Sequence, residues 1–351
     1  MPTTDWTVRL AQLHRDPPTT EELVELLTTT ESTLTESLFA AADEKREQHH
    51  GPGVYLRALV EFSNHCTRTC EYCGLRAANQ DVQRYRLTPE EILAAARLSE
   101  QLGYRTVVLQ SGEDPWFTRD IVSDLTRRIK SEGDVALTLC LGERPEGDYA
   151  VWRAAGADRY LLRIETSNRE LYETLHPGMS YDHRVECLQV LRELGYQVGS
   201  GILVGLPGQT PRLLAEDLLF LQRLQPDMVG LGPFIPHPDT PLGGCAPGTV
   251  DMVLRVLALA RLLLPDCYLV ATTALGSIDP QGREKGLQAG ANVLMPNATP
   301  QRVRADYAIY PNKICLDEEP QHCRVCIERR LESVGRSVAT GYGHARRQGE
   351  D

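Results

Sequence analysis

The sequence predicts an α/β protein built on a complete (β/α)8 TIM barrel, residues 51–300. An N-terminal helical extension, residues 1–50, and a C-terminal cysteine-containing extension, residues 301–351, flank it. Three observations predict this architecture. Short β-branched apolar runs alternate eight times with amphipathic stretches, tight hairpin signals are scarce, and residues suited to chemistry follow nearly every apolar run. Alternation without hairpins means parallel strands joined by crossover helices. Eight such units over roughly 240 residues match a closed barrel of about 250. An open doubly wound sheet is the competing architecture, but it would gather its chemistry at one switch point.

The N-terminal extension reads as three helices. Leu10 and Leu13 mark a short one, Thr20, Glu21 and Glu22 open a second carrying Leu23, Leu26 and Leu27, and Leu34, Leu38, Phe39 and Ala42 give a third, 32–48, its apolar face. His49 and His50, before Gly51-Pro52-Gly53, read as a solvated helix end. Strands are expected at 54–62, 105–109, 134–140, 158–164, 197–204, 227–231, 267–271 and 291–295. Helices are expected at 89–102, 119–132, 147–155, 168–175, 181–194, 210–224, 249–264 and 283–289. Thr88-Pro89-Glu90-Glu91 is a good helix start, and Gly103 and Gly195 are good stops. A last helix, 324–334, leads into Gly341-Tyr-Gly-His-Ala-Arg-Arg347, expected to be a poorly ordered tail.

Composition narrows the function. The net charge of −11 argues against partners that are nucleic acid or an anionic membrane surface. No apolar run approaches the ~20 residues of a membrane span, and Met1-Pro-Thr-Thr-Asp-Trp6 has no basic region followed by an apolar one, so the expected location is the cytoplasm. Ten cysteines fall into two tight groups, Cys66/Cys70/Cys73 and Cys315/Cys323/Cys326, with Cys140, Cys187, Cys245 and Cys267 alone. Clustered thiols without a secretion signal point to metal binding more than to disulfides, and oxygen sensitivity follows.

The stretch Cys66-Thr-Arg-Thr-Cys70-Glu-Tyr-Cys73 carries the strongest signal. Three thiols spaced C-x3-C-x2-C can bind three corners of a [4Fe-4S] cluster and leave the fourth iron open, as catalytic metal sites do. A zinc knuckle lacking a ligand, or three unrelated thiols, is the bland reading. Gly112 in Ser111-Gly112-Glu113 lets backbone approach a ligand closely. Glu165 can accept hydrogen bonds from ribose or amine, Arg184 can grip a carboxylate with two parallel bonds, and Arg163 shares the strand face of Glu165. Thr272 and Thr273 offer hydroxyls to a small anion, whereas His237, between Pro236 and Pro238, reads as a rigid loop residue. Cys315, Cys323 and Cys326, beside His322, suit either iron–sulfur or structural zinc.

The cysteine spacing, with Tyr72 before the last thiol, resembles the signature of the radical S-adenosylmethionine (SAM) enzymes, whose open iron is chelated by the amine and carboxylate of SAM. Longer stretches sharpen this: Val60-Glu-Phe-Ser-Asn-His-Cys66, Val108-Leu-Gln-Ser-Gly-Glu-Asp-Pro115, Arg159-Tyr-Leu-Leu-Arg-Ile-Glu-Thr166, Leu206-Pro-Gly-Gln-Thr210, Gly232-Pro-Phe-Ile-Pro-His-Pro-Asp-Thr-Pro241, Ala271-Thr-Thr-Ala274 and Ala291-Asn-Val-Leu-Met-Pro-Asn297. Together they resemble the HydE family, radical SAM maturases that help assemble the active-site cluster of [FeFe]-hydrogenase. The resemblance covers roughly residues 50–335.

It implies a full barrel with SAM at its top and an internal, anion-lined substrate cavity. Cys66, Cys70 and Cys73 would bind the catalytic [4Fe-4S] cluster, and Ser111, Gly112, Glu165 and Arg184 would bind SAM. Thr138, Cys140, Arg163, Thr272, Thr273 and Met295 would line the substrate cavity. Cys315, Cys323 and Cys326 match the cysteines of a dispensable second cluster, [2Fe-2S] or [4Fe-4S]. The implied substrate is an organometallic iron–carbonyl–cyanide cysteine complex whose sulfur the adenosyl radical attacks. A reductant such as ferredoxin or flavodoxin and other hydrogenase maturases are the implied partners. One departure stands out: Cys140 occupies a position where members of the family carry serine, which bears on substrate detail. The alternatives are a related radical SAM barrel of the biotin synthase or methylornithine synthase type, and a non-catalytic iron–sulfur carrier. Biotin synthase keeps its second cluster inside the barrel, whereas this chain's second cysteine group is C-terminal.

Overall fold

Residues 5–345 are described by the structure, a computed structural model. Its first helices are α1 (Trp6–Gln12), α2 (Thr20–Thr28) and α3 (Ser32–His50). Thr19 and Glu22 form a reciprocal capping box that satisfies two orphan N–H groups at the start of α2. The leucines at helical spacing, Leu23, Leu26, Leu27, Leu34 and Leu38, are buried, each stabilising the docked helices by about 1.5–3 kcal/mol. They hold this extension against the outside of the barrel. His49 and His50 are not a solvated end. His49 pairs with Asp266 at 2.8 Å, and Arg261 donates to His50 at 3.0 Å, so both anchor α3 to the chain around Pro265.

The barrel runs through β1 (Gly53–Ser63), α4 (Pro89–Gln101), β2 (Thr106–Ser111), α5 (Arg119–Glu132), β3 (Ala136–Cys140), α6 (Glu146–Ala154) and β4 (Arg159–Leu161). It continues through α7 (Arg169–Leu175), α8 (Tyr181–Glu193), β5 (Gln197–Val204), α9 (Pro211–Leu224), β6 (Met228–Pro233), α10 (Val250–Leu263) and β7 (Tyr268–Ala271). The short α11 (Thr273–Ile278), α12 (Gly282–Gln288), β8 (Val293–Leu294) and α13 (Gln301–Arg304) complete it. All neighbouring strands are parallel, and β1 pairs with β2 on one side and β8 on the other, closing the sheet. This is the expected fold class.

Two strands are shorter than their sequence pattern. β4 stops at Leu161, and a parallel bridge to β5 returns only at Glu165, which has a left-handed φ of 64°. β8 stops before Pro296, which has no N–H to give a ladder. Inside the barrel, Leu161, Met228, Tyr268, Val270 and Val293 form an apolar floor across the middle.

The C-terminal segment corrects an expectation. After α14 (Pro320–Ser333), β9 (Ser337–Val338) pairs with Gly53 and Val54, and the chain then crosses the lower mouth of the barrel. The Tyr342 carbonyl accepts from Thr106 Oγ1 at 2.9 Å and Arg159 Nη2 at 2.8 Å. The Gly343 carbonyl accepts from Arg57 at 3.1 Å, and that of His344 from Tyr268 at 3.1 Å. Through Ala345 this is no loose tail, because buried guanidinium groups must find acceptors and the segment brings them. Arg346 and Arg347 of the expected tail lie outside the described residues.

Candidate active site

The cysteine loop leaves the top of β1 and is pinned from both sides. Ser63 Oγ donates to Asp114 at 2.6 Å, while Asn64 donates to the carbonyls of Gln83 and Asp306, both at 2.8 Å. A Cβ on Gly112 would stand 2.3 Å from the His65 carbonyl and 2.7 Å from Cys66 Cβ. The missing side chain therefore lets the loop after β2 pack on the cysteine loop, a different first task from the ligand approach expected of it. Ser111 faces the same cavity, with its hydroxyl donating to the Gly112 carbonyl at 2.7 Å.

Cys66, Cys70 and Cys73 are free thiols that wall one cavity of about 360 Å³ at the C-terminal end of the strands. The Arg68 N–H donates to Cys66 Sγ at 3.4 Å, and burial pushes all three thiols up, Cys73 to about 12. Among the described residues no three His, Cys, Asp or Glu side chains gather round a single ion. A cubane makes a different demand, since each cysteine binds its own iron. Three unoxidised thiols on one loop, facing one chamber, fit that donor set.

Ion pairs frame the chamber. Arg184 donates from Nε to Glu143 at 2.8 Å and to Tyr172 Oη at 3.1 Å, and from Nη1 to the Arg163 carbonyl at 3.0 Å. Burial opposes its charge, but Tyr172, Glu143 and Glu113 outweigh it and raise its pKa. The second oxygen of Glu143 takes Arg68 at 3.2 Å, and Arg68 also binds Glu113. One buried carboxylate thus ties the cysteine loop to Arg184. Arg163 pairs with Glu165 at 2.9 Å; burial pushes the Glu165 carboxyl up against the pull of Arg163 and Arg184. The positive φ at Glu165, unusual for a glutamate, aims it into the cavity. His176 lies 2.7 Å from the Tyr172 carbonyl through Nδ1 and 2.9 Å from Tyr72 Oη through Nε2. Burial drives its pKa down to about 3, so a neutral ring donates to the carbonyl and accepts from Tyr72.

Cys140, Arg163, Thr272, Thr273 and Met295 all line the cavity. Burial pushes the Cys140 thiol up to about 12. Thr272 also caps α11, accepting from the Leu275 N–H at 3.3 Å. Thr138 stands elsewhere: fully buried below the floor, near Arg57 and Arg159, it does not line this chamber. Nor is the wall of one sign, since each cation on it has a carboxylate partner, including Lys313 on Glu61. His237 is buried in its loop, against Thr240.

The C-terminal cysteines divide. Cys315 and Cys323 wall a narrow crevice shared with Arg283 and Lys313, with their thiols in hydrogen-bonding contact. Cys326 and His322 face a shallow outer hollow with Arg329. Sequence reasoning missed Arg68, Glu143, Glu61 and Lys313 as site residues. A carboxylate or cation beside a strand's C-terminal end is a usable signal for the first three. Lys313 gives none, since it lies in an aperiodic stretch.

A closed parallel barrel whose first loop carries three free thiols, opening on a chamber with Arg184 and Glu165, defines a radical SAM enzyme. A family model described as the radical SAM superfamily matches residues 60–221. Over 338 residues the chain is 49% identical to the [FeFe] hydrogenase maturase subunit HydE of Thermotoga maritima, covering 96% of this chain and 97% of that one. The chain belongs to the HydE family of the radical SAM superfamily. It is also 30% identical over 306 residues to the 3-methylornithine synthase of Methanosarcina barkeri, covering 87% of this chain and 85% of that one. Among solved structures, methylornithine synthase (PylB) aligns with a TM-score of 0.83 at 27% identity, covering 94% of this chain and 97% of that one. HydG, a maturase of the [FeFe]-hydrogenase, aligns at 0.79 and 20% identity, covering 96% and 77%, a likeness of fold. No helix of the described residues is long and apolar enough to cross a membrane. Membership of an enzyme family sets the carrier alternative aside. The family's cofactors are a [4Fe-4S] cluster and SAM.

Proposed function

We propose that this chain is a radical SAM enzyme of [FeFe]-hydrogenase maturation acting on a cysteine-derived organometallic iron substrate. The observation that carries the reading is the convergence of Cys66, Cys70 and Cys73 with Arg184, Glu165, Thr272 and Thr273 on one chamber, in a chain 49% identical to a HydE. Cys66, Cys70 and Cys73 hold the cluster in this reading. When bound, the reduced cluster supplies the electron that splits the SAM sulfonium into methionine and a 5′-deoxyadenosyl radical, which attacks substrate sulfur.

The chain's own residues do the rest. Arg184, kept charged by Glu143, grips a carboxylate of SAM, and Glu165 accepts from its hydroxyl or amine groups beside Ser111 and Gly112. Arg163, Cys140, Thr272, Thr273 and Met295 shape the substrate end. The apolar floor and the plugged lower mouth exclude water from the chamber. Residues 1–50 brace the barrel of residues 51–300, and residues 301–351 bring Cys315, Cys323 and Cys326 to a second cluster, [2Fe-2S] or [4Fe-4S]. The contact between Cys315 and Cys323 supports that cluster, and Cys326 must turn inward to join it. A cytoplasmic reductant such as ferredoxin or flavodoxin supplies the electron, and other maturases supply and take the substrate.

Anaerobically reconstituted protein with dithionite and SAM should form 5′-deoxyadenosine and methionine. An intact [4Fe-4S] signal with no cleavage would sink the reading. A methylornithine synthase activity is the second reading, favoured by the likeness to PylB; conversion of lysine would promote it.

A further inference from the structure

Among the described residues, four cations line the chamber: Arg68, Arg163, Arg184 and Lys313. Their carboxylate partners are Glu113, Glu165, Glu143 and Glu61 in turn. Three of these pairs lie on the cysteine loop, the loops after β2, β3 and β4, and the first turn of α8. The fourth stands apart. Glu61 belongs to β1 and Lys313 to the stretch between α13 and α14, so the pair sits three strands round the barrel from Arg163 and Glu165.

The Glu61 carboxylate is 1% exposed, receives Lys313 Nζ, and takes Asn297 Nδ2 at 3.2 Å. The Lys313 ammonium also lies 5.2 Å from the centre of the Tyr307 ring. Burying two opposite charges costs desolvation that their attraction does not reliably repay, so stability alone is a weak reason to keep the pair at a cavity wall. Its geometry suits one kind of ligand. A lone anion meeting Lys313 would also meet the repulsion of Glu61, and a lone cation the reverse. A ligand with an ammonium and a carboxylate on one carbon can lie antiparallel to the pair and satisfy both.

We propose that Glu61 and Lys313 form a subsite for the α-amino-acid end of the substrate. Lys313 donates to the α-carboxylate and Glu61 accepts from the α-ammonium. The remainder of the substrate then extends past Thr273 and Met295, which share with Lys313 both the chamber and the crevice behind it. The proposal rests on reading this cavity as the substrate chamber, and it names the part of the substrate that is recognised and by which residues.

The test is anaerobic calorimetry on cluster-reconstituted protein with SAM bound. Three probes are compared: S-methyl-L-cysteine, 3-(methylthio)propanoate, which lacks the ammonium, and 2-(methylthio)ethylamine, which lacks the carboxylate. The zwitterion should bind at least about tenfold tighter than either analogue, as expected for two charge-assisted hydrogen bonds. Lys313→Met should erase that margin. Because a single truncation strands a buried charge, Glu61→Gln combined with Lys313→Met provides the control: it removes both charges and strands neither, and it too should lose the preference. Equal affinity for the three probes in the wild type, or an undiminished preference in the double variant, overturns the proposal. So does a KM for SAM that rises in step with the probe's Kd, which would assign the pair to SAM. Formation of 5′-deoxyadenosine by the wild type is scored separately. Cleavage without probe preference fails the subsite alone, and no cleavage fails the reading beneath it.

Discussion

The two mouths of the barrel solve the same problem differently. Both hold arginines that are buried or half-buried. At the upper mouth Arg68, Arg163 and Arg184 face carboxylates of neighbouring loops. At the lower mouth Arg57 and Arg159 are held by the main-chain carbonyls of Gly343 and Tyr342. A carboxylate partner leaves a cation charged and able to take a ligand in exchange. A backbone carbonyl is a weaker dipole that fixes the cation in place; burial lowers the Arg159 pKa to about 10. The difference separates chemistry at the C-terminal ends of the strands from closure at their N-terminal ends.

The comparison can be broken most directly at the top. Cys70→Ala should abolish SAM cleavage, scored as 5′-deoxyadenosine by chromatography, without changing the far-ultraviolet circular dichroism. Glu143→Gln comes next. It keeps the shape but weakens charged bonds to Arg184 and Arg68, and kcat/KM for SAM should fall roughly 10- to 100-fold, from about 1.5–3 kcal/mol. An unchanged KM and kcat would show that the link between the cysteine loop and Arg184 is idle.

At the bottom the readout should be stability. Ending the chain after Val338 removes several hydrogen bonds to the barrel, among them the buried ones of Thr106, Arg159, Arg57 and Tyr268. The loss should be on the order of 4 kcal/mol and read as a lower Tm, with most SAM cleavage kept at temperatures below unfolding. Activity lost before stability would erase the contrast between the mouths.

A smaller effect concerns His176, whose folded pKa of about 3 lies below its unfolded value. The unfolded chain takes up a proton below about pH 6.5 and the native ring does not, so stability present above that pH is lost as the pH falls toward 3. His176→Gln should remove up to about 1.4 kcal/mol per pH unit of that slope, measured by denaturant midpoints between pH 6.5 and 5. The smallest change is expected from Cys323→Ala, which should leave most SAM cleavage; a loss equal to that of Cys70→Ala, with folding intact, would give the C-terminal thiols a catalytic part.

Much of this is legible in the sequence, for identifiable reasons. Strand and helix periodicity is local, so Gln197–Val204 and Arg119–Glu132 can be read to the residue. The cysteine loop is a short-range motif. Cys140 and Thr273 become cavity residues as soon as a barrel is assumed, because one ends a strand and the other follows one. Thr138 misleads because strand parity places it inside the barrel without telling its level above or below the floor. Lys313 and Tyr342 are invisible for another reason. Each finds its place through a partner more than 200 residues away, Glu61 and Thr106, and no periodicity reports such a contact.

The path of β1 sets a timetable. Its residues are made early, yet Gly53 and Val54 pair with Ser337 and Val338, and Tyr55 and Leu56 with Val293 and Leu294. The ring cannot close until almost 240 further residues have been synthesised, as the pairing of Tyr55 with Val293 requires. During translation Cys66, Cys70 and Cys73 therefore emerge on an open sheet edge, exposed to oxidants and stray metals. On the proposed function, the three thiols that are to hold the cluster stand exposed until the ring closes.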